Sequence, residues 1–136
     1  MLLKLILPIL VMLVTIEGCA SPRTSVCLPG EQPTVMESLY FGTAKPGGVV
    51  TPDDWDTFLD TIVMPAFSGG LTSWPASGRW KTTTDMSEQE TSYVLQLAHD
   101  GNRAENNAVE HIMRAYKKDF QQEAVMRIRS QACRSF

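Results

Sequence analysis

Three side chains suited to binding a ligand lie close together in the sequence, namely Arg79, Trp80 and Glu90. A guanidinium group can clamp a carboxylate or phosphate through parallel hydrogen bonds, and an aromatic ring such as that of Trp80 or Tyr40 can form the wall of a pocket. These residue types therefore predict a ligand pocket. The alternative interpretation is structural: Arg79 and Glu90 pair between neighbouring strands, and Trp80 caps the edge of the sheet.

A histidine beside an aspartate can act as a general base, and His99 is followed directly by Asp100. At the end of a strand, the same pair is also typical of a structural turn. No nucleophile accompanies it, because Ser92 is predicted on the opposite face of the same strand and the chain has no Gly-x-Ser-x-Gly motif. We therefore assign no catalytic residue. The competing hypothesis is a small isomerase or hydrolase in which Arg79, Glu90 and His99 share one pocket.

The acidic residues and cysteines do not have the spacing of a metal site. Carboxylates at positions 53, 54, 56 and 60 lack the alternating pattern of a calcium loop, and they suit the positive end of a helix dipole instead. No Cys-x-x-Cys or Cys/His spacing indicates zinc. The sequence predicts neither a metal nor a cofactor. A formal net charge of -3 without a basic stripe argues against a nucleic-acid partner.

The amino-terminal segment predicts export and lipid attachment. The apolar run Leu5–Ile16 follows a single basic residue and is too short to span a membrane, as is typical of a secretory signal. Ile16-Glu17-Gly18-Cys19 resembles the bacterial lipobox, which implies cleavage before Cys19 and acylation of its thiol. The acyl chains would hold the protein on a membrane. Ala20, rather than aspartate, favours the periplasmic face of the outer membrane or the outer cell surface.

Hydrophobic periodicity and turn residues predict four strands and two helices in the rest of the chain. The first helix starts at Thr51-Pro52 and ends at Pro65, and the second is capped by Asn102 and reaches Phe120. The predicted strands are 35–41, 71–82, 91–99 and 124–130. The second strand is expected to bend or split at a turn over 75–78, and residues 83–89 are expected to form a loop.

The predicted order of elements is β-α-β-β-α-β. Two helices with one apolar stripe each must both pack on the sheet, and right-handed crossovers then give a ferredoxin-like α+β sandwich with an antiparallel sheet and both helices on one face. Strand alternation assigns seven residues to the open face: Ser38, Tyr40, Val94, Gln96, Val125, Arg127 and Arg129. We expect this mixed face to bind an envelope protein or to form a homodimer.

The predicted organisation is a signal peptide over residues 1–18, a lipidated tether over 19–34 and a ferredoxin-like domain over 35–136. The tether is rich in Pro, Gly, Ser and Thr. Once Cys19 carries lipid, Cys27 and Cys133 remain in an oxidising compartment and are expected to pair. The topology supports this disulfide, because the start of the first strand and the end of the last strand are neighbours.

The chain resembles the bacterial lipoprotein family known as domain of unknown function 3574. The matching segments run over most of residues 37–136. They are Tyr40-Phe41-Gly42, Val50-Thr51 with Trp55 and Phe58, Pro65 with Phe67, Gly70-Leu71-Thr72, Gly78-Arg79-Trp80, Glu90 with Ser92, Ala115-Tyr116 with Phe120-Gln121, Ala124-Val125, Cys133 and Phe136. Arg79, Trp80 and Glu90 look like a polar and aromatic signature of the family. The resemblance implies no activity.

These observations together predict a lipid-anchored protein of the cell envelope that serves as a non-catalytic binding or scaffolding module. A small envelope enzyme is the competing class. A surface lipoprotein of the exclusion type, which blocks a receptor, also fits the anchor and the size of the chain. The first two hypotheses differ in whether Arg79, Glu90 and His99 line a common cavity.

Overall fold

The computed structural model describes residues 27–81, positions 80 and 81 by their backbone alone, and residues 85–136. The predicted signal peptide, the lipidation site at Cys19 and most of the predicted tether lie outside these described residues.

Six strands and two helices follow one another along the described chain. Their bounds are β1 Gln32–Gly42, β2 Ala44–Lys45, β3 Gly48–Val49, α1 Pro52–Phe58, β4 Thr72–Lys81, β5 Ser87–His99, α2 Arg103–Asp119 and β6 Met126–Arg134. A π-helical turn, Leu59–Val63, continues α1. The fold is therefore mixed α/β, as the sequence predicted.

The four long strands form one antiparallel sheet in the order β4-β5-β1-β6. Leu39 lies opposite Leu95 on β5 and opposite Arg127 on β6, so these three residues share one face. The helices cover this face, which we call the helix face. The other face carries Tyr40, Val94 and Met126 in register, and we call it the open face.

Local sequence fixes the starts of both helices. Thr51 and Asn102 accept hydrogen bonds from the backbone N–H groups of Asp54 and Glu105, and each of these acidic side chains accepts from the N–H of its cap residue. These reciprocal pairs are the capping boxes of α1 and α2. Both predicted helix starts are confirmed.

Aromatic rings dominate the core between the sheet and the helices. Phe41 on β1 packs on Trp55 of α1 at a ring-centroid distance of 5.0 Å and on Tyr116 of α2 at 4.6 Å. Trp55 also stacks on Tyr93 of β5 at 4.7 Å. All four rings are buried. Because both helices contact Phe41, both pack on the helix face, as predicted.

The second predicted strand is present as Thr72–Lys81 but lacks the expected bend or split. Residues 75–78 continue β4 without a turn, and Pro75 lies opposite Tyr93 in the ladder. β4 is an edge strand, where a proline tolerates the loss of its N–H because one side of the strand has no partner. The predicted loop over 83–89 is also partly wrong, since β5 begins at Ser87. Residues 85–89 are all exposed, so they show no alternation of buried and exposed side chains that would indicate a strand.

The predicted register of the last strand is wrong. Val125 is buried in the core, and Arg127 and Arg129 lie on the helix face opposite Leu39 and Glu37. Met126 and Ile128 occupy the open face instead and are about half exposed. The cause is a buried carboxylate on β1, described below, which requires a cation on the helix face of β6.

The predicted disulfide is confirmed. Cys27 and Cys133 are joined across a sequence separation of 106, next to the point where Pro33 pairs with Cys133 in the ladder. The bridge links the first and last strands at one edge of the sheet. Within the described ranges, no helix has both the length and the apolar composition needed to cross a membrane.

Candidate functional site

The structure distributes the predicted pocket residues over different places. Tyr40 and Glu90 line one groove on the open face. Arg79 lies opposite Gln89, whereas Glu90 lies opposite Gly78, so Arg79 and Glu90 fall on opposite faces of the sheet. The expected Arg79–Glu90 pair is therefore wrong. Trp80 lies opposite Glu88, and His99 is buried on the helix face at the far end of β5.

The groove has a volume of about 670 Å³. Its walls come from the end of β1, the start of β5 and the segment between α2 and β6. The residues that matter below are Tyr40, Gly42, Lys45, Glu90, Gln122 and Met126. Cavities of 300–1,000 Å³ are typical of small-molecule sites.

The position of Glu90 in the groove is fixed by the end of β1. Its Oε1 accepts a 2.7 Å hydrogen bond from the backbone N–H of Ala44. The carboxylate lies directly against Gly42, where a Cβ atom would come within 2.8 Å of Oε1. Gly42 is thus the residue whose lack of a side chain makes room for the carboxylate. Among contacts of the described residues, Oε2 of Glu90 has no hydrogen-bond donor.

Two side chains from the end of α2 hold the same segment of backbone. Tyr116 donates a 2.8 Å hydrogen bond from its hydroxyl to the carbonyl of Gly42, and Gln122 donates from Nε2 to the carbonyl of Ala44 at 2.6 Å. Burial raises the pKa of Tyr116 well above its usual range, so the hydroxyl remains a donor. Next to Gln122, Gln121 has a φ of +54°, a backbone conformation that non-glycine residues rarely adopt.

The charges that line the groove are predominantly negative. Glu90 and Glu123 contribute carboxylates, and Lys45 contributes one cation. The ammonium group of Lys45 lies 3.4 Å from Asp54 and 5.4 Å from the centre of the Phe120 ring, so its charge is partly compensated outside the groove. The groove lining therefore carries one more negative than positive group.

A second polar cluster lies under the helices at the other end of β1. The side chain of Glu37 is fully buried and accepts two hydrogen bonds from Arg127, the one from Nε at 2.8 Å. Nε2 of His99 lies 3.4 Å from Glu37. Nδ1 of His99 accepts a 3.0 Å hydrogen bond from the N–H of Gly101, so in the neutral ring the proton resides on Nε2 and faces Glu37.

The electrostatics of this cluster favour the ionised carboxylate. Burial alone would raise the pKa of Glu37, but the hydrogen bonds and charge of Arg127, together with His99, lower it below its ordinary value. Both Glu37 and His99 are almost inaccessible to solvent. The cluster therefore ties β1, β5 and β6 together beneath the helices.

Sequence reasoning identified Tyr40 and Glu90 but missed the residues that shape the groove. Gly42 closes the Tyr40-Phe41-Gly42 motif, and a glycine at the end of a buried strand signals a close approach by another group. No comparable local signal marks Gln122 or Met126. They reach the groove only through the packing of β6 beside β1.

The fold and the groove define a mixed α/β domain with one helix-covered and one open sheet face, and solved structures share this fold. Phage SAM lyase in complex with S-methyl-5'-thioadenosine aligns with a TM-score of 0.54 and 13% identity over 76% of this chain and 90% of that chain. Phage SAM lyase in its apo state aligns with a TM-score of 0.52 and 15% identity over 81% and 94%. No curated protein sequence matches the chain significantly.

The family is shown by a match over residues 36–136 to the profile described as "Protein of unknown function (DUF3574)". The chain belongs to this family, as the sequence motifs indicated. The match spans all four long strands of the sheet except the first residues of β1.

Proposed function

We propose that this protein is a lipid-anchored binding domain of the cell envelope that holds a small ligand in the groove on its open face. The observation that carries the proposal is the groove itself. It combines a suitable volume with a carboxylate that is already held in place by Ala44, over a backbone pinned by Tyr116 and Gln122. Preorganisation of this kind lowers the cost of binding.

The disulfide supports the exported location. A bridge such as Cys27–Cys133 persists in an oxidising compartment, and it lies close in sequence to the lipobox-like segment that ends at Cys19. The fold we propose is the ferredoxin-like sandwich. The strand order β4-β5-β1-β6 and the succession of long strands and helices support it.

The chemistry of the groove favours binding over catalysis. Of the described residues that line it, none is a histidine or a cysteine, and the ionisable groups are those of Tyr40, Lys45, Glu90 and Glu123. His99, which the enzyme hypothesis needs, is buried on the other face of the sheet.

A steric block tests the groove as the binding site. Gly78 lines the groove, and a Cβ at this position would meet only the Glu90 carbonyl at 3.8 Å, so Gly78→Leu places an apolar side chain at the groove without a clash at its Cβ. We expect fragments that shift the NMR signals of Tyr40 and Met126 in the parent protein to leave Gly78→Leu unaffected. Gly48→Leu, where a Cβ meets nothing within 4 Å, is the control. Equal binding by both variants would refute the proposal.

Lipid attachment is tested separately. Mass spectrometry of the protein extracted from membranes should find an acylated cysteine at position 19 as the first residue, and a Cys19→Ser variant should leave the membrane fraction. A mature protein that begins elsewhere without lipid would contradict the anchor and leave the groove proposal intact.

A lyase is the second candidate function, and the fold shared with phage SAM lyase favours it. If the groove serves such a reaction, the purified protein should release S-methyl-5'-thioadenosine from S-adenosylmethionine, and Glu90→Gln should reduce the rate. Absence of product from folded, disulfide-bonded protein would reject this candidate.

A further inference from the structure

The groove lining contains a carboxylate and an aromatic side chain on the same face of the sheet. Oε1 of Glu90 is engaged by the N–H of Ala44, and no donor among the described residues reaches Oε2. A carboxylate oxygen that faces a groove can accept a charge-assisted hydrogen bond from a ligand or lie beside a positive centre. Tyr40 and Met126 are register partners on β1 and β6, so the aromatic and thioether side chains share the open face.

The only described cation at the groove is directed elsewhere. Lys45 contacts Asp54 at 3.4 Å and lies over the Phe120 ring, which leaves Glu90 and Glu123 as the uncompensated charges of the lining. An anionic ligand would be repelled by both carboxylates. A cationic group would be attracted by them and by the negative face of an aromatic ring.

We infer that the groove binds an organic cation, an ammonium or sulfonium group that contacts Glu90 and carries an apolar or aromatic body against Tyr40 and Met126. The inference rests on the proposed function of the groove as a ligand site and adds the class of ligand. A bare metal ion does not fit, because no three His, Cys, Asp or Glu side chains among the described residues of the groove lie close enough together to hold one.

The backbone of residues 42–44, which forms the floor beneath Glu90, is held in place. The preference for a cation therefore depends on Glu90. Gly42 leaves space for the carboxylate where Oε1 accepts the Ala44 N–H, and Tyr116 and Gln122 keep the backbone of residues 42–44 in place. The acceptor is therefore presented to the groove before a ligand arrives. Replacement of Glu90 by glutamine removes its charge but keeps an oxygen that can accept the Ala44 N–H, so the floor is retained.

The experiment compares two probes of similar size, benzyltrimethylammonium and the neutral alcohol 3-phenylpropanol, by NMR titration of the disulfide-bonded protein. We expect the cation to shift the signals of Tyr40 and Met126 at about tenfold lower concentration than the alcohol, the difference expected of one charge-assisted contact. Glu90→Gln should abolish this tenfold preference and leave the binding of the alcohol unchanged.

Two controls separate charge from fold. Glu110→Gln removes one negative charge on the exposed surface of α2 and should retain the preference. Tyr40→Leu should weaken the binding of both probes. If the alcohol binds in the groove as tightly as the cation, or if Glu90→Gln keeps the preference, the inference is wrong while the groove remains a ligand site. If neither probe shifts any groove residue, both the inference and the proposed function fail.

Discussion

The guanidinium of Arg127 binds the buried carboxylate of Glu37 through two hydrogen bonds, the one from Nε at 2.8 Å, across a sequence separation of 90 residues. This pair joins β6 to β1 on the helix face of the sheet. It also sets which residues of β6 remain on the open face and border the groove.

Removal of Arg127 should destabilise the fold strongly. An Arg127→Met variant leaves the Glu37 carboxylate buried without its main partner, and we expect a loss of about 3 kcal/mol in the free energy of unfolding. Urea denaturation at neutral pH measures this loss. Arg129→Met is the control, because Arg129 is more exposed and lies 3.6 Å from Glu37, and its loss should cost less than about 1 kcal/mol. Equal losses of stability in the two variants would contradict the role of Arg127 as the main partner of Glu37.

Stability should fall in acid because of Glu37. Its pKa is lowered in the folded state relative to an ordinary value of 4.5, so its contribution is complete above that pH and disappears as the pH drops through the lower folded value. The pKa of Asp54, lowered by its hydrogen bonds to Thr51, acts in the same direction. Urea denaturation between pH 7 and pH 3 should show the difference between parent and Glu37→Gln shrinking as the pH falls. A constant difference would rule out this linkage.

Reduction of the Cys27–Cys133 bridge should lower stability without changing the fold. The bridge closes a loop over a sequence separation of 106, for which the chain-entropy estimate is about 4.7 kcal/mol. Thermal unfolding with and without a reductant measures the effect. A Cys27→Ala/Cys133→Ala double variant should match the reduced protein and should no longer respond to the reductant. An unfolding temperature that the reductant does not alter in the parent would contradict the prediction.

Gly42→Ala should displace the Glu90 carboxylate at modest cost. The new Cβ would come within 2.8 Å of Glu90 Oε1, so the end of this flexible side chain must shift and lose its bond to Ala44. We expect a loss of less than about 1 kcal/mol in the free energy of unfolding, because the bond is exposed and water can replace it. Gly48→Ala, which meets nothing within 4 Å, should be close to neutral. NMR of the Ala44 amide provides an independent readout of the broken contact.

The features that local sequence encodes were predictable. Thr51 and Asn102 cap their helices through hydrogen bonds with residues three positions later in the sequence. The sequence pattern alone therefore predicts these contacts. The Cys27–Cys133 bridge followed from topology together with the expected compartment. The caps join residues that are close in sequence, and the bridge required only the order of the strands.

The register of β6 could not be predicted because a distant residue determines it. Alternation over residues 124–130 fits either face, since arginines and apolar residues alternate there. In the sequence, Glu37 is one polar residue in a β-rich segment. Only the fold shows that it is buried, and a buried carboxylate requires a cation from β6. Pro75 likewise resembles a turn residue until its strand is known to be an edge. The groove was missed in part for the same reason, because β6 supplies Met126.

The bond between Cys27 and Cys133 also has a mechanical consequence. A pull on the chain from its amino-terminal side reaches residue 27 and divides there between β1 and, through the sulfur atoms, β6. These two strands are hydrogen-bonded neighbours, so traction draws on both at once instead of unzipping one from the other. A load applied at residue 27 would therefore be shared between two strands of the sheet that carries the groove.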